Sequence, residues 1–178
     1  MPILGIMASS RQPAANAGSF ESIATVTVGS GGASSVTFSS IPSTYTHLQI
    51  RGIFKGGYNL YGQFNSDTGN NYKAHYIYGN GSSVAAGVGA TQDIVFVGRA
   101  AGDGSQFGGF VCDILDYNNT NKYKTVRALM GWDNNGSGEM FFDSGVWMST
   151  SAITSIYLYG PGVIAQYSSV ALYGIKSS

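Results

Sequence analysis

One cysteine and four prolines are all that the 178 residues contain, and only nine basic and nine acidic side chains accompany them. The lone Cys112 excludes an intramolecular disulfide, so the fold must rest on its core and its hydrogen bonds, as suits a reducing cytosol. Charged residues make up 10% of the chain, against about 25% in ordinary soluble domains. Their balance to zero leaves no basic excess to neutralise phosphates, which argues against a nucleic-acid partner. No acidic tail, heptad pattern or Lys/Glu-rich helix is present. No stretch approaches 18 consecutive apolar residues, so no membrane partner is expected. The first residues lack the positive flank of a secretory signal.

What is present is glycine, 26 residues, and aromatic rings, 13% of the chain. Gly, Ser, Asn and Asp punctuate the sequence roughly every eight to twelve residues, the rhythm of an all-β sandwich or barrel. Between them lie alternating segments. Phe20 to Val28 places Phe20, Ala24, Val26 and Val28 on one face. Thr46 to Phe54 places Leu48, Ile50, Gly52 and Phe54 inward, with His47, Gln49 and Arg51 outward. Further strands are expected at 34–38, 60–64, 72–78, 93–97, 109–115, 124–132, 140–148, 153–159 and 170–175. Short strands without crossover helices predict an antiparallel two-sheet sandwich of the jelly-roll type. An open Greek-key sandwich is the alternative. The triplets Leu60-Tyr61-Gly62, Leu158-Tyr159-Gly160 and Leu172-Tyr173-Gly174 read as strand ends, with each Gly opening a turn.

The division expected is an N-terminal arm, residues 1–18, ahead of a sandwich domain, residues 19–178. Ile3, Leu4, Ile6 and Met7 form an apolar tip, and Ser9 to Gly18 form a small, polar tether. Leaving four such side chains in water is unfavourable by several kcal/mol in total. The arm is therefore expected to bind a partner subunit by strand addition, the alternative being a frayed end or an edge strand folded back.

Catalytic material is thin. His47 and His75 are the candidate bases but have no metal-ligand spacing. Cys112 alternates with Phe110 and Ile114 and reads as a small core residue. No nucleophile elbow, phosphate loop or dinucleotide motif occurs, so no enzyme, cofactor or metal is expected. Asp133 to Glu139 resembles half of a calcium loop but has Ser144 at the twelfth position, so a long hairpin turn accounts for it better. Carbohydrate binding is the serious alternative for a β-sandwich. Tyr58, Tyr61, Asn70, Tyr72 and Tyr117 are the candidate glycan-binding residues, offering rings to stack on beside amide groups; turns and subunit interfaces use the same residue types.

The segments Ile3-Leu4-Gly5-Ile6-Met7-Ala8-Ser9-Ser10 and Phe20-Glu21-Ser22-Ile23-Ala24-Thr25-Val26-Thr27-Val28 resemble a family of tailed-bacteriophage virion proteins. The likeness continues through Gly31 to Phe38 and Ile41 to Arg51, and returns in Val170-Ala171-Leu172-Tyr173-Gly174-Ile175-Lys176. It covers about the first 54 residues and the last few; residues from Tyr58 to Gly145 carry no such signature. The resemblance implies a jelly-roll structural protein on a phage particle, at the head or the tail, with no catalytic residues. The expectation is a non-enzymatic capsid decoration (cement) protein, made in the host cytoplasm and self-associating as a homotrimer. It would bind the major capsid protein, or a tail protein, through its arm residues. The alternative is a tail, baseplate or fibre-associated module that reads host-surface glycans.

Overall fold

Alternating apolar and polar side chains build twelve strands in the computed structural model, which describes residues 18–89 and 93–176. The strands are β1 (Phe20–Thr27), β2 (Ala33–Phe38), β3 (His47–Phe54), β4 (Asn59–Phe64), β5 (Tyr72–Gly79) and β6 (Val84–Val88). They continue as β7 (Val95–Arg99), β8 (Gly108–Leu115), β9 (Lys124–Asn134), β10 (Ser137–Trp147), β11 (Ile156–Ile164) and β12 (Ser169–Ile175). All pairings are antiparallel, and no helix occurs among the described residues.

Two packed sheets result, one of eight strands in the order β1-β12-β3-β8-β9-β10-β5-β6 and one of four in the order β2-β11-β4-β7. With the hairpins β5–β6 and β9–β10 set aside, the remaining eight strands divide evenly between the sheets and alternate from one to the other except at β4 and β7, which are neighbours in the smaller sheet. Their neighbours are 1-12-3-8 and 2-11-4-7, the two facing layers of an antiparallel β-sandwich. Both hairpins extend the same sheet, making it twice as wide as its partner.

The core lies between the sheets. Leu48, Ile50 and Phe54 of β3, Cys112 and Ile114 of β8, and Val126 and Ala128 of β9 meet Leu60, Phe64, Val95, Val97, Ile156 and Leu158 from the smaller sheet. Each fully buried aliphatic side chain contributes about 1.5–3 kcal/mol. One end is closed by aromatics: Tyr72 stacks on Trp147 with centroids 6.3 Å apart, and Phe64 meets Trp147 edge-on at 5.6 Å. The Trp147 indole donates to Asp67 Oδ2 at 2.7 Å. That bond, with a backbone N–H from Gly69 and the amide of Asn71, holds the Asp67 carboxyl below its usual range against the opposing effect of burial.

Three expectations from the sequence change. Strand β6, Val-Ala-Ala-Gly-Val, has no apolar–polar alternation; pairing with β5 makes it a strand. A bulge between Ser22 and Ala24 turns Phe20 away from the core. Phe20 instead stacks on Tyr173 at 4.7 Å on the outer face, under the Arg51 guanidinium. The Tyr-Gly triplets lie within strands and open no turns. Tyr61 and Tyr159 pair across β4 and β11, while Gly174 makes room for the Tyr45 ring. The anticipated arm, with Ile3, Leu4, Ile6 and Met7, lies outside the described residues.

A Cβ at Gly174 would stand 2.3–2.4 Å from three ring carbons of Tyr45. Gly174→Ala should therefore cost about 1–3 kcal/mol in denaturant unfolding. Adding Tyr45→Ala should recover part of that loss in a double-mutant cycle.

Candidate functional site

Where the wide sheet outruns its partner, the edge strand β7 lies over β8, β9 and β10, and aromatic side chains line the gap. Tyr76 and Tyr78 of β5 pack on Phe141 of β10 at 5.2 and 4.9 Å, the second pair stacked. Phe96 of β7 meets Tyr61 of β4 edge-on at 5.6 Å, and Tyr61 meets Tyr159 at the same distance. Among these rings lies the Arg99 guanidinium, 3.6 Å from the Tyr58 centroid and 4.0 Å from that of Phe141.

Arg99 is almost wholly buried, and its hydrogen-bond partners converge from two strands, β4 and β10. Its Nε donates to Glu139 Oε2 at 2.6 Å, and Nη1 donates to Asn59 Oδ1 at 2.9 Å. The Tyr58 hydroxyl donates to the Glu139 carboxylate at 2.7 Å, and the Asn59 amide donates to the Tyr61 hydroxyl at 3.1 Å. Burial, then the bond to Glu139, raises the Tyr58 phenol above its usual value. Tyr58, Asn59, Arg99 and Glu139 line a cavity of about 320 Å³, together with Tyr76, Tyr78, Val88, Gly89, Phe96 and Phe141. Its mixture of ring faces and hydrogen-bonding groups matches the way saccharides are held. The network, however, already pairs its own charges.

The glycan candidates therefore separate. Tyr58 and Tyr61 come together around Asn59. Asn70 is exposed in the turn between β4 and β5, at the opposite end of β4 from Tyr58. Tyr72 and Tyr117 are core residues and present no ring to a ligand. The Tyr72 hydroxyl donates to the Asp67 carbonyl at 3.1 Å, and that of Tyr117 donates to the Pro42 carbonyl. Sequence reasoning missed Arg99 and noticed Glu139 only as the end of a turn; the two lie 40 residues apart and carry no shared motif.

The polar candidates serve structural ends. His47 Nδ1 accepts the Asp116 backbone N–H at 2.9 Å. Cys112 is fully buried, and burial pushes its thiol far up, so it is no nucleophile. The Asp133–Glu139 segment is a tight hairpin around Asn135 and Gly136, both at positive φ as an Asn-Gly turn of this length requires. No group of three or more His, Cys, Asp or Glu able to hold a metal occurs among the described residues.

The outward face of the wide sheet is the other unusual surface. Register places Val111, Leu129, Phe142, Ile77 and Ala86 side by side across five strands. Ile53, Met140, Val84 and Val88 adjoin this row. Phe142 is 43% exposed, Met140 65% and Val84 83%. Together the exposed large residues of this face present on the order of 700 Å² of side chain, more than the ~300–600 Å² of a typical monomer's largest patch.

No family model, curated protein or solved structure matches this chain.

Two tests follow from these surroundings. Glu139→Gln should destabilise the fold by about 3 kcal/mol, because it leaves the guanidinium buried without its counter-charge. The double replacement Arg99→Met with Glu139→Leu should cost less than Glu139→Gln alone, as read from denaturant midpoints. Asp143 supplies the second. Both its carboxyl oxygens are buried without a hydrogen-bond partner, and burial pushes it up to about 7, with Arg127 pulling the other way. The folded state thus keeps a proton that the unfolded chain releases near pH 4. Stability should be greatest below that pH and fall as pH rises through about 7, by roughly 3–4 kcal/mol in all. Asp143→Asn should remove this slope. Glu21 and Asp116, whose partners Lys176 and Lys122 lower them, act in a separate window below the ordinary carboxylate range.

Proposed function

We propose that this chain is a non-catalytic structural protein of a tailed-bacteriophage virion, in the role of a head-surface decoration protein. The observation that carries the assembly part is the apolar face at the β5–β6 side of the wide sheet. Ile77 and Phe142 lie in adjacent register there, with Val84 and Val88 on an edge strand that has no charge or proline to discourage pairing. An area approaching the ~800 Å² per partner of an ordinary specific interface suits burial in an assembly. Many weak copies would then hold the shell together through avidity. The placement on a virion rests on the likeness of the terminal segments, and self-association as a trimer belongs to the same proposal.

A second reading is favoured by one feature. Tyr58 and Asn59 line the cavity that Tyr76, Tyr78 and Phe96 complete, with Tyr61 bonded to the Asn59 amide beside it, an arrangement suited to a host-surface saccharide at a tail or head position.

Cryo-electron microscopy of the intact particle separates the two. Density on the head, with Ile77→Asp or Val84→Asp abolishing particle binding and lowering the particle's thermal stability, is the expected result. Both substitutions fall at exposed positions, so the domain should remain folded. Density at the tail, with Tyr78→Ala weakening attachment to host cells and leaving particle stability unchanged, would replace decoration with receptor binding.

A further inference from the structure

Beside the β5–β6 surface, the outer face of the same sheet holds a groove. Gly109 and Gly131 form its floor, and Val111, Leu129, Met140 and the Arg51 side chain border it, an open hollow of about 520 Å³. It runs on into a second hollow of about 730 Å³ that shares Gly109, Gly131 and Met140 and adds Phe107 and Trp132. A Cβ at Gly109 would meet nothing within 4 Å, so the fold itself leaves that space open.

The first strand reaches this groove through one side chain, Arg51. Phe20, near the first described residue, turns its ring to the outer face through the β1 bulge. The Arg51 guanidinium lies 5.0 Å from that ring and 6.0 Å from Tyr173, while Arg51 also lines the groove. Phe20 and the apolar walls thus share one side chain. Upstream of Phe20 the sequence offers Ile3, Leu4, Ile6 and Met7, with Arg11 the only charged side chain before Glu21. Met7 and Phe20 are thirteen positions apart, a reach of up to about 40 Å. From β1, which carries Phe20, to β10 is five strand spacings, roughly 24 Å and within that reach.

We infer that residues 3–7 of this chain dock in the groove formed by Val111, Leu129, Met140 and Gly109 on the outer face of the eight-stranded sheet. The occupant is apolar, as the groove is, and small residues Ala8, Ser9 and Ser10 let the tether follow the glycine floor. The docking is independent of the virion reading, because every contact belongs to this chain. It gives the arm a receptor on the sheet face instead of a sheet edge.

The test is cross-linking in the full-length protein. Leu4→Cys is combined with Leu129→Cys in the groove, and separately with Thr37→Cys, which is exposed on β2 of the other sheet. Cys112, fully buried, stays silent. Under mild oxidation the Leu129 pair should form a disulfide at least about tenfold faster than the Thr37 pair. A bond within one chain means docking on the arm's own domain; a bond between chains means exchange between copies, and either supports the inference. Adding Gly109→Trp, which fills the groove, should abolish the preference. A companion measurement needs no cysteine. Replacing Ile3, Leu4, Ile6 and Met7 by Ser should increase binding of an apolar fluorescent dye several-fold. Equal rates for the two cysteine pairs, or dye binding unchanged by the serine variant, would overturn the inference.

Discussion

A sheet of eight strands facing a sheet of four leaves half of the wide sheet's inner surface without a strand to cover it. A sheet must bury its apolar face against something, and much of this molecule is an answer to that requirement. Over β8 and β9 the cover is the second sheet, with aliphatic side chains that interdigitate. Beyond β7 the cover is aromatic: Phe96, Phe141, Tyr76 and Tyr78 supply area that no further strand provides, and their hydroxyl-bearing rims tolerate water. Arg99 sits at the border between these regimes. Its stem packs like an apolar side chain, its charge is spread across two ring faces, and Glu139 neutralises it.

The scarcity of charge follows the same logic. Much of what remains is committed to fixed tasks. Lys124 is fully buried and donates to the carbonyls of Asn119, Lys122 and Ser149, gathering two loops at one end of the sandwich. Lys176 pairs with Glu21 and ties the last strand to the first. Arg51, Gln49 and Asp113 form a polar chain across β3 and β8 that borders the outward apolar field. With these groups occupied, the outer face toward β6 is left apolar, and a face of that size is suited to being covered.

Much of the fold was legible in the residues. Alternation located β3 and β8 within a residue or two, and it placed Cys112 between Phe110 and Ile114 in the core, because a strand half buried in a sandwich enforces a period of two. A hairpin was legible between Asp133 and Glu139, though it was expected as a long turn; positive φ at Asn135 and Gly136 tightens it to two residues and lets the strands pair on to Asn134 and Ser137. The site was less legible. Tyr58 and Tyr61 were recognisable as aromatic neighbours, but the same reasoning put forward Tyr72 and Tyr117, whose hydroxyls are consumed inside the core. A tyrosine's ring looks alike in sequence whether its partner is a sugar, a carbonyl or another ring. Arg99 and Glu139 could not be paired in advance, since only the register of β7 against β4 and the turn of the β9–β10 hairpin bring them together.

The sequence by itself determined the class: antiparallel strands, no long apolar span, no disulfide and almost no mobile charge, since alternation and composition act residue by residue. The tertiary structure decided the rest. It chose which sheet each hairpin would widen and turned Phe20 outward through a one-residue bulge. It also left Asp143 buried without a hydrogen-bond partner and aligned Val111, Leu129, Phe142 and Ile77 into one surface. These outcomes depend on which strands become neighbours, and neighbours far apart in the chain are fixed only when the whole core closes.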